Sequence, residues 1–323
     1  MIAVPILGFA QLGGQASFQA LNLSTNPRAA ALGGSAISLG DGDLSQFFEN
    51  PSIIDSVESD DIFFHFNPYF ADVFVYSLAY SFDIGKMEGF AAGINYVNFG
   101  TFKLTDETGA ELGDFRATDF VVTMSKAHKL GPFTLGASIK VADSRIDTYH
   151  ATALLFDLGG VFRINKHWTV GMIFENAGFR LSSYTGLEVP TIPFDVKVGT
   201  SFKPEYMPLR FSITSTSIVN DNVSEPQEES GRSSEIIDDV LKRINLGAEI
   251  LLSEHFQLLV GYNHKRKQEL RLDDTEGGAG FSYGLMVKIK EIQLRFSRAT
   301  YHAAGGSSFM SIQTNLKAAK QIL

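Results

Sequence analysis

The residues that could carry chemistry are numerous, but their spacing does not assemble a reactive site. The 323-residue chain has seven histidines, from His65 to His302, and no cysteine. Without cysteine there are no disulfides, thiolate metal ligands or cysteine nucleophiles. The histidines lack metal-ligand spacing, and no motif places a Ser or Thr nucleophile beside a base. We therefore expect no enzyme activity, no metal and no cofactor, and the net charge of −9 argues against nucleic acid as a partner.

The densest motif is NPRAAALGGSAISLGDGDLSQFFENPS, residues 26–52. Its acidic pair, Asp41 and Asp43, lacks the downstream spacing of an EF-hand calcium loop. Its paired glycines, Gly33 and Gly34, lack the lysine and hydroxyl residue of a phosphate-binding loop. The motif is therefore better suited to packing than to binding an ion.

Local rules predict that this motif forms a compact plug. The first half, AAALGGSAISL, is small and glycine-rich, and we expect a strand or turn packed closely against other backbone. The second half predicts a short helix, capped by Asp41 or Asp43 and ended by Pro51. A piece of this kind fits inside the mouth of a barrel.

The rest of the chain must supply that barrel, because apolar residues alternate with small or polar ones from about residue 61 onward. A period of two predicts strands with one apolar face. Most segments are near ten residues long, the length of a tilted strand that crosses a bilayer. About fourteen segments show the pattern: 61–67, 72–82, 88–98, 116–127, 132–143, 149–164, 167–176, 193–203, 209–217, 243–253, 256–264, 278–289, 291–300 and 307–316.

The connections between these segments alternate in length. Every second one is short, such as DIGKME, HKLG and NK, whereas residues 99–115, 177–192, 218–242 and 265–277 are predicted as long polar loops. Short turns at one end and long loops at the other are typical of outer-membrane barrels. The sequence therefore predicts an all-β fold: an antiparallel transmembrane β-barrel of about 14 strands with a small N-terminal plug. The alternative is a large soluble β-sandwich. An even strand count places the N- and C-termini on the short-turn, periplasmic side.

Charged residues on the polar strand faces are expected in the lumen, because an isolated charge is costly in lipid. They should pair with each other, with water or with the plug. The predicted lumen charge network comprises Lys140, Glu175, Asp195, Lys197, Glu249, Lys288 and Arg295.

The opening MIAVPILGFAQ predicts a truncated signal peptide over residues 1–10, with a buried first strand as the alternative. The plug then covers residues 11–59, the barrel 60–317 and a periplasmic tail 318–323. An acidic run in residues 220–239 is either a solvated external loop or a docking surface for an external partner. The candidate docking residues are Glu225, Glu228, Glu229, Glu235, Asp238 and Asp239.

The plug motif also resembles the N-terminal signature of the PorV/PorQ family. The matching residues are Asn26, Pro27, Arg28, Gly33, Gly34, Asp41, Asp43, Asn50 and Pro51. The segments YHATALLFDLGGVFRI, WTVGMIFENAGFRLSSY and IPFDVKVGTSFKPEYMPLRFSIT are similar to the PorQ branch, so the resemblance spans residues 18–316. It implies a fourteen-stranded barrel like FadL (OMPP1) in the outer membrane of Bacteroidota, as a part of the type IX secretion system.

The same resemblance implies a role in the cell-surface attachment complex. There a PorU-like sortase links cargo with a C-terminal sorting domain to lipopolysaccharide, together with a PorV-like barrel. The PorQ-like barrel is expected to hold a PorZ-like surface protein at the membrane, with outer-membrane lipid around it. The alternative function is a FadL-type transporter of hydrophobic small molecules, which predicts an apolar lumen. Inward Ser, Thr, Gly, Lys, Glu and Arg residues disfavour that alternative.

Overall fold

The computed structural model describes residues 18–70, 72–106, 108–184, 192–216, 218–219, 240–269, 278–302 and 305–320. The predicted signal peptide, residues 1–10, lies outside the described residues. The described chain consists of an N-terminal hatch, residues 18–56, followed by a closed wall of β-strands.

Fourteen antiparallel strands form the wall, and β1 pairs with β14 to close the barrel. The predicted fold class is therefore confirmed, and each predicted segment overlaps one of the observed strands. The strands are β1 (Asp61–Pro68), β2 (Phe74–Ile84), β3 (Met87–Thr105), β4 (Glu111–Leu130), β5 (Phe133–Ile146), β6 (Tyr149–Arg163), β7 (Trp168–Ser182), β8 (Asp195–Phe202), β9 (Leu209–Ser215), β10 (Ile244–Leu251), β11 (Phe256–Asn263), β12 (Phe281–Ile289), β13 (Ile292–His302) and β14 (Gly305–Asn315).

The alternation of apolar residues with small or polar ones gives each strand an inner and an outer face. In β2, Val75, Ser77 and Ala79 are buried, whereas Tyr76 and Leu78 are exposed on the outside. Large apolar side chains are exposed on nearly every strand in this way. Such a continuous apolar surface is stable only against apolar surroundings, as in the lipid-facing band of a transmembrane barrel. Among the described helices, none has the length and apolar character needed to cross a membrane.

The two ends of the barrel differ. Short connections join β2 to β3, β4 to β5, β6 to β7, β8 to β9, β10 to β11 and β12 to β13 at what we term the short-turn end. Strand β1 begins and β14 ends there, with Asp61 opposite Asn315. The opposite, long-loop end carries the three longest connections, which join β7 to β8, β9 to β10 and β11 to β12, although β5 and β6 are joined there by only two residues.

Three predicted loops at the long-loop end are partly regular structure. Most of residues 99–115 extends β3 and β4 as a two-stranded ribbon, residues 101–116, in which Phe102 lies opposite Phe115. Strand β7 continues to Ser182, and the helix α2 (His264–Glu269) occupies the start of the loop 265–277. The sequence-based prediction assigned these segments to loops because they are polar. A strand beyond the membrane needs no lipid-facing apolar residues, however, and cross-strand pairs such as Phe102 with Phe115 stabilise it.

The hatch contains four short helices: the 3-10 helix Gln19–Leu21, α1 (Pro27–Ala31), the 3-10 helix Leu44–Phe48 and the 3-10 helix Pro51–Ser56. A last helix, α3 (Leu316–Lys320), follows β14. The expectation of a strand or turn for the first half of the motif was therefore wrong in part, because it begins with α1. Pro51 starts a helix rather than ending one.

Both Asn-Pro pairs in the hatch are helix starts. Asn26 caps α1, with its side-chain oxygen accepting from Arg28 N at 2.8 Å, and Pro27 is the first helical residue. Asn50 and Pro51 repeat the arrangement. Proline is favoured at this position because its missing N–H would have no partner inside the helix and its φ angle is already helical.

Candidate functional site: the hatch and the lumen

Backbone and side-chain atoms of the hatch pack against glycines of the wall. We term these inward positions the glycine girdle, because at each one an added Cβ would overlap an atom of the hatch. Three pairs of girdle glycines lie directly opposite each other on neighbouring strands. The girdle residues in the described chain are Gly93, Gly136, Gly159, Gly171, Gly199, Gly247, Gly261 and Gly284.

The girdle is a steric requirement. A Cβ at Gly171 would lie 2.7 Å from the carbonyl oxygen of Ile37, and one at Gly284 would lie 2.8 Å from Ala31 Cβ. Glycine in a strand marks such close approach of another backbone. On the hatch side, Gly33 has φ +97° and its own Cβ would meet Tyr262 O at 2.9 Å. Any side chain at these positions would push the hatch from the wall.

An ionic network fastens the hatch at the short-turn end. Arg28, whose side chain is 1% exposed, contacts Asp41 at 2.5 Å and Glu249 at 2.8 Å. We term the whole set the ionic staple. Its remaining contacts join Arg210 to Asp41 at 2.6 Å and to Glu249 at 3.1 Å, Arg295 to Asp43 at 2.5 Å and Arg28 to Asp43 at 3.5 Å.

The staple balances three arginines against three carboxylates. Arg28, Asp41 and Asp43 belong to the hatch, and the other members belong to the wall. Loss of hydration would raise the pKa of Asp41, but Arg28 and Arg210 outweigh this effect and hold that pKa well below its usual range. In the same way, burial would lower the pKa of Arg28, but its carboxylate partners raise it. Asp41 and Arg28 are therefore charged at neutral pH.

The predicted lumen charges fall into three groups. Glu249 and Arg295 belong to the staple. Near the long-loop end, Lys197 pairs with Glu175 at 2.8 Å, beside Asp195, and Lys140 pairs with Asp157 at 2.6 Å. Lys288 is exposed at the short-turn mouth of the lumen and is not part of these pairs.

Sequence reasoning missed two members of these pairs, Arg210 and Asp157. The period of two could have found both, because Arg210 shares the inward face of β9 with Ser212 and Thr214. The remaining hatch-motif residues cap helices or touch the wall: Asn26, Pro27, Asn50 and Pro51 in the helix starts, and Gly34 next to Arg266. The candidate docking residues Glu225, Glu228, Glu229, Glu235, Asp238 and Asp239 lie outside the described residues.

A cavity of about 510 Å³ occupies the lumen at the long-loop end. Hatch residues 20–25 and 34–35 form part of its wall, with polar side chains from β3, β4, β5, β7 and β8. Its apolar lining is limited to a few residues such as Leu21, Leu23 and Ile192. Glu49 of the hatch also faces this cavity, accepts a hydrogen bond from Ser35 Oγ at 2.8 Å and has a pKa raised by burial.

Comparison with known proteins shows the fold. No protein-family model and no curated protein matches the chain. A Pseudomonas aeruginosa FadL homologue matches at 12% identity and a TM-score of 0.51, over 90% of this chain and 98% of that one.

Two further solved structures are similar. The monoaromatic hydrocarbon channel TodX, as its deltaS2S3 mutant, matches at 10% identity and a TM-score of 0.55, over 89% of this chain and 98% of that one. The monoaromatic hydrocarbon channel CymD matches at 11% identity and a TM-score of 0.52, over 90% and 96%. This chain therefore has the fold of a FadL-like outer-membrane barrel.

Proposed function

We propose that this chain is a non-enzymatic outer-membrane barrel that docks a partner protein at the cell surface. In this role it is a PorQ-like subunit of the attachment complex of the type IX secretion system. The resemblance of the hatch motif and of the middle strands to the PorV/PorQ family supports the proposal, and the FadL-like fold is compatible with it.

The observation that carries the proposal is the fixed hatch. The ionic staple and the glycine girdle hold the hatch against the wall on many strands, so its release would break buried ion pairs. Separating a buried ion pair is strongly unfavourable when one partner is left alone. A barrel closed in this way is suited to presenting a constant surface to a partner.

The β3–β4 ribbon supplies such a surface. Strand β4 has 20 residues, which at about 3.3 Å per residue span about 65 Å. Crossing an apolar band about 25 Å tall at a tilt near 40° requires only about 33 Å. The ribbon therefore extends well beyond the band at the long-loop end. We place that end outside the cell and both ends of the barrel wall on the periplasmic side.

In this proposal the ribbon and the acidic residues 220–239 contact a PorZ-like surface protein. The barrel then keeps that protein near the PorU-like sortase and the PorV-like barrel, which attach cargo to lipopolysaccharide. Outer-membrane lipid surrounds the apolar outer face.

The test is a pull-down of the tagged barrel from its native outer membrane in mild detergent, with mass spectrometry. We expect PorZ-, PorU- and PorV-like proteins to be recovered. Replacing residues 102–115 with a two-residue turn should reduce recovery of the PorZ-like protein. An equivalent replacement of residues 204–207 in the β8–β9 turn is the matched control and should not. Recovery of the folded barrel without these proteins would reject the docking role.

The second candidate is FadL-type transport of hydrophobic small molecules. The likeness to the two hydrocarbon channels and the apolar part of the cavity, formed by Leu21, Leu23 and Ile192, favour it. Faster uptake of labelled toluene by intact cells that carry the barrel in a lipopolysaccharide-containing outer membrane than by matched cells without it would support transport. The docking role predicts equal uptake by the two kinds of cell.

A further inference from the structure

The two faces of the β3–β4 ribbon are reversed relative to the membrane-spanning wall. A bulge between Asn98 and Thr101 adds one residue to β3. In β4, Phe115 lies four residues before Asp119, which is buried on the lumen side, and strand alternation therefore places Phe115 on that side too. Because Phe102 is opposite Phe115, it also lies there. The ribbon thus carries apolar residues on its inner face, whereas the wall carries them on its outer face.

The inner face of the ribbon is exposed in the described chain. Phe102 is 42% exposed, and Leu104, which is opposite Gly113 on the same side, is 45% exposed. Pairing with β2 ends at Asn98 and pairing with β5 ends at Ala117, so the ribbon is only two strands wide. An isolated two-stranded ribbon is at best marginally stable in water. We therefore expect an apolar surface to pack against this face.

The hatch forms a floor below the inner face. Phe99, at the base of the ribbon, packs against the buried cluster that includes Phe18 and Ala20 of the hatch. Leu21 and Leu23 of the hatch pack against the same cluster. Because the staple and the girdle hold the hatch against the wall, this floor has a fixed position. We term the apolar surface above it the ribbon seat, which consists of Phe99, Phe102, Leu104 and Phe115.

Lipid and a neighbouring barrel do not reach the ribbon seat. Either would approach the ribbon from outside the barrel, and the outer face carries Lys103, Asp114 and Arg116. Taking these charged groups out of water would be costly. What covers the seat must therefore lie over the mouth of the lumen, which favours a soluble polypeptide.

The charges around the ribbon seat are mostly acidic. Lys103 pairs with Glu111 across the ribbon. A partner with basic residues around an apolar patch would complement the other charges. Among the described residues of the ribbon and of the turns at its base, these are Arg116 and four carboxylates, Asp72, Asp106, Asp114 and Asp147.

Segments of this chain are poor occupants of the seat. The three longest internal segments outside the described residues, 185–191, 220–239 and 270–277, each have a net negative charge. Like charges therefore oppose their contact with the ribbon. Residues 1–10 are expected to be removed on export, and residues 11–17 contain a single large apolar side chain, Leu12. A separate protein fits the seat better.

We propose that the ribbon seat docks a partner protein through an apolar patch with a basic rim, and that this partner lies over the mouth of the lumen. The inference rests on the proposed docking function, and it adds the position of the partner and the chemistry of its contact surface. The outer face of the ribbon remains in water. The acidic residues 220–239 contribute to the attraction of the basic rim.

The first test uses the full chain in its native outer membrane, with the photocrosslinking residue p-benzoylphenylalanine at position 104. The matched control carries it at position 101, which is exposed on the outer face of the same strand. Position 104 should form an adduct with the PorZ-like protein that copurifies with the barrel. Position 101 should form little of this adduct.

The second test is the variant Leu104→Asp. Because Leu104 is opposite Gly113, the variant breaks no cross-strand side-chain pair. Recovery of the PorZ-like protein should decrease about tenfold or more, since burial of one leucine side chain contributes at least that factor to affinity. Thr101→Asp, opposite Arg116, is the control and should leave recovery unchanged. Recovery should also decrease between about 0.05 M and about 0.5 M NaCl, because salt screens the attraction of the basic rim.

Several results would overturn the inference: adducts from position 104 to lipid or to another part of this chain, equal adduct yields from positions 101 and 104, or equal recovery with Leu104→Asp and Thr101→Asp. Recovery that does not depend on salt would reject the basic rim. The docking role fails in a different way, when the unmodified barrel is recovered without partner proteins. Recovery that is insensitive to Leu104→Asp rejects only the ribbon seat.

Discussion

Both halves of the lumen contain ion pairs, but the pairs connect different parts of the protein in each half. In the short-turn half, the ion pairs join the hatch to the wall, as Arg28 does with Glu249. In the long-loop half, Lys197 with Glu175 and Lys140 with Asp157 join neighbouring strands of the wall to each other. The first arrangement holds the hatch. The pairs of the second arrangement surround a cavity, and they act on the hatch mainly through the attraction of Lys197 for Glu49, which lies beyond salt-bridge distance.

The largest effect is expected from breaking the staple. Arg28→Met leaves three carboxylates facing only Arg210 and Arg295. Separating such a buried pair costs about 3–5 kcal/mol, which should appear as faster proteolysis of the hatch and a lower melting temperature. The control is Arg145→Met, because Arg145 is 69% exposed and, among the described residues, pairs only with Asp143 on its own strand. Its expected cost is below about 1 kcal/mol. Equal effects of the two variants would mean that the staple does not hold the hatch.

Next in size is a change in the girdle. At Gly159 an added Cβ overlaps the Asn50 side chain that caps a hatch helix, whereas at the adjacent Gly160 the nearest atom, in Leu135, is 3.7 Å away. Overpacking of this kind costs about 1–3 kcal/mol. The melting temperature of Gly159→Ala should therefore be lower than that of the parent protein. Gly160→Ala should be within about 0.5 kcal/mol of the parent protein, and a similar loss there would show that strand flexibility, not the hatch contact, is responsible.

Two carboxylates of the hatch, Glu49 and Asp41, are expected to change the stability of the folded state in opposite directions as the pH falls. Burial raises the pKa of Glu49 above its ordinary value of 4.5, so the folded state gains stability as the pH falls from that raised pKa toward 4.5. The pKa of Asp41 is depressed below 3.8, so its contribution persists at neutral pH and is lost only as the pH falls through the depressed value. Melting temperatures measured from pH 7 to pH 3 should separate the two.

The variants for this comparison are Glu49→Gln and Asp41→Asn. Glu49→Gln should remove the gain between the raised pKa of Glu49 and 4.5. Asp41→Asn should lower stability at pH 7 and flatten the loss in acid. An unchanged profile in Glu49→Gln would show that this carboxylate is already solvated in the folded barrel.

The smallest effect is expected in the long-loop half. Replacing both members of the Lys197–Glu175 pair, as Lys197→Met with Glu175→Leu, removes two charges together. Apolar replacement of a buried pair is often close to neutral, although here it also removes the counter-charge that Lys197 offers to Glu49 of the hatch. Stability should therefore change by about 1 kcal/mol or less, and hatch proteolysis should change much less than in Arg28→Met. Release of the hatch in this double variant would contradict the division between the two halves.

The strands of the wall were predictable from sequence because they are specified by residues that are close to each other in the chain. A period of two gives each strand its inner and outer face, and short turns give the topology of neighbouring strands. The ends of β3 and β4 were not predictable from the lipid-facing pattern, because the ribbon lies beyond the lipid. The helix starts at Asn26-Pro27 and Asn50-Pro51 follow a local rule that sequence reasoning could have applied.

The contacts of the hatch were not predictable, because they join distant parts of the chain. Arg28 and Glu249 are separated by 221 residues, and nothing near either residue specifies the other. The girdle glycines could be recognised as sites of close approach. Their partner could not be identified, since the hatch atoms that fill the space belong partly to the backbone and partly to side chains of several types, such as Phe47, Asn50 and Leu32.

The girdle has a consequence for the order of assembly. Side chains of the wall normally fill the interior of a small closed barrel. At the girdle the wall residues are glycines, which have no side chain, and the hatch fills the space. The staple ties the same hatch to β10 and β13, in the last third of the chain. If the wall closed first, its lumen would be empty at the level of the girdle. The hatch, which fills the lumen at that level, would then have to enter it afterwards. We therefore expect the N-terminal segment to be in place before the strands close around it.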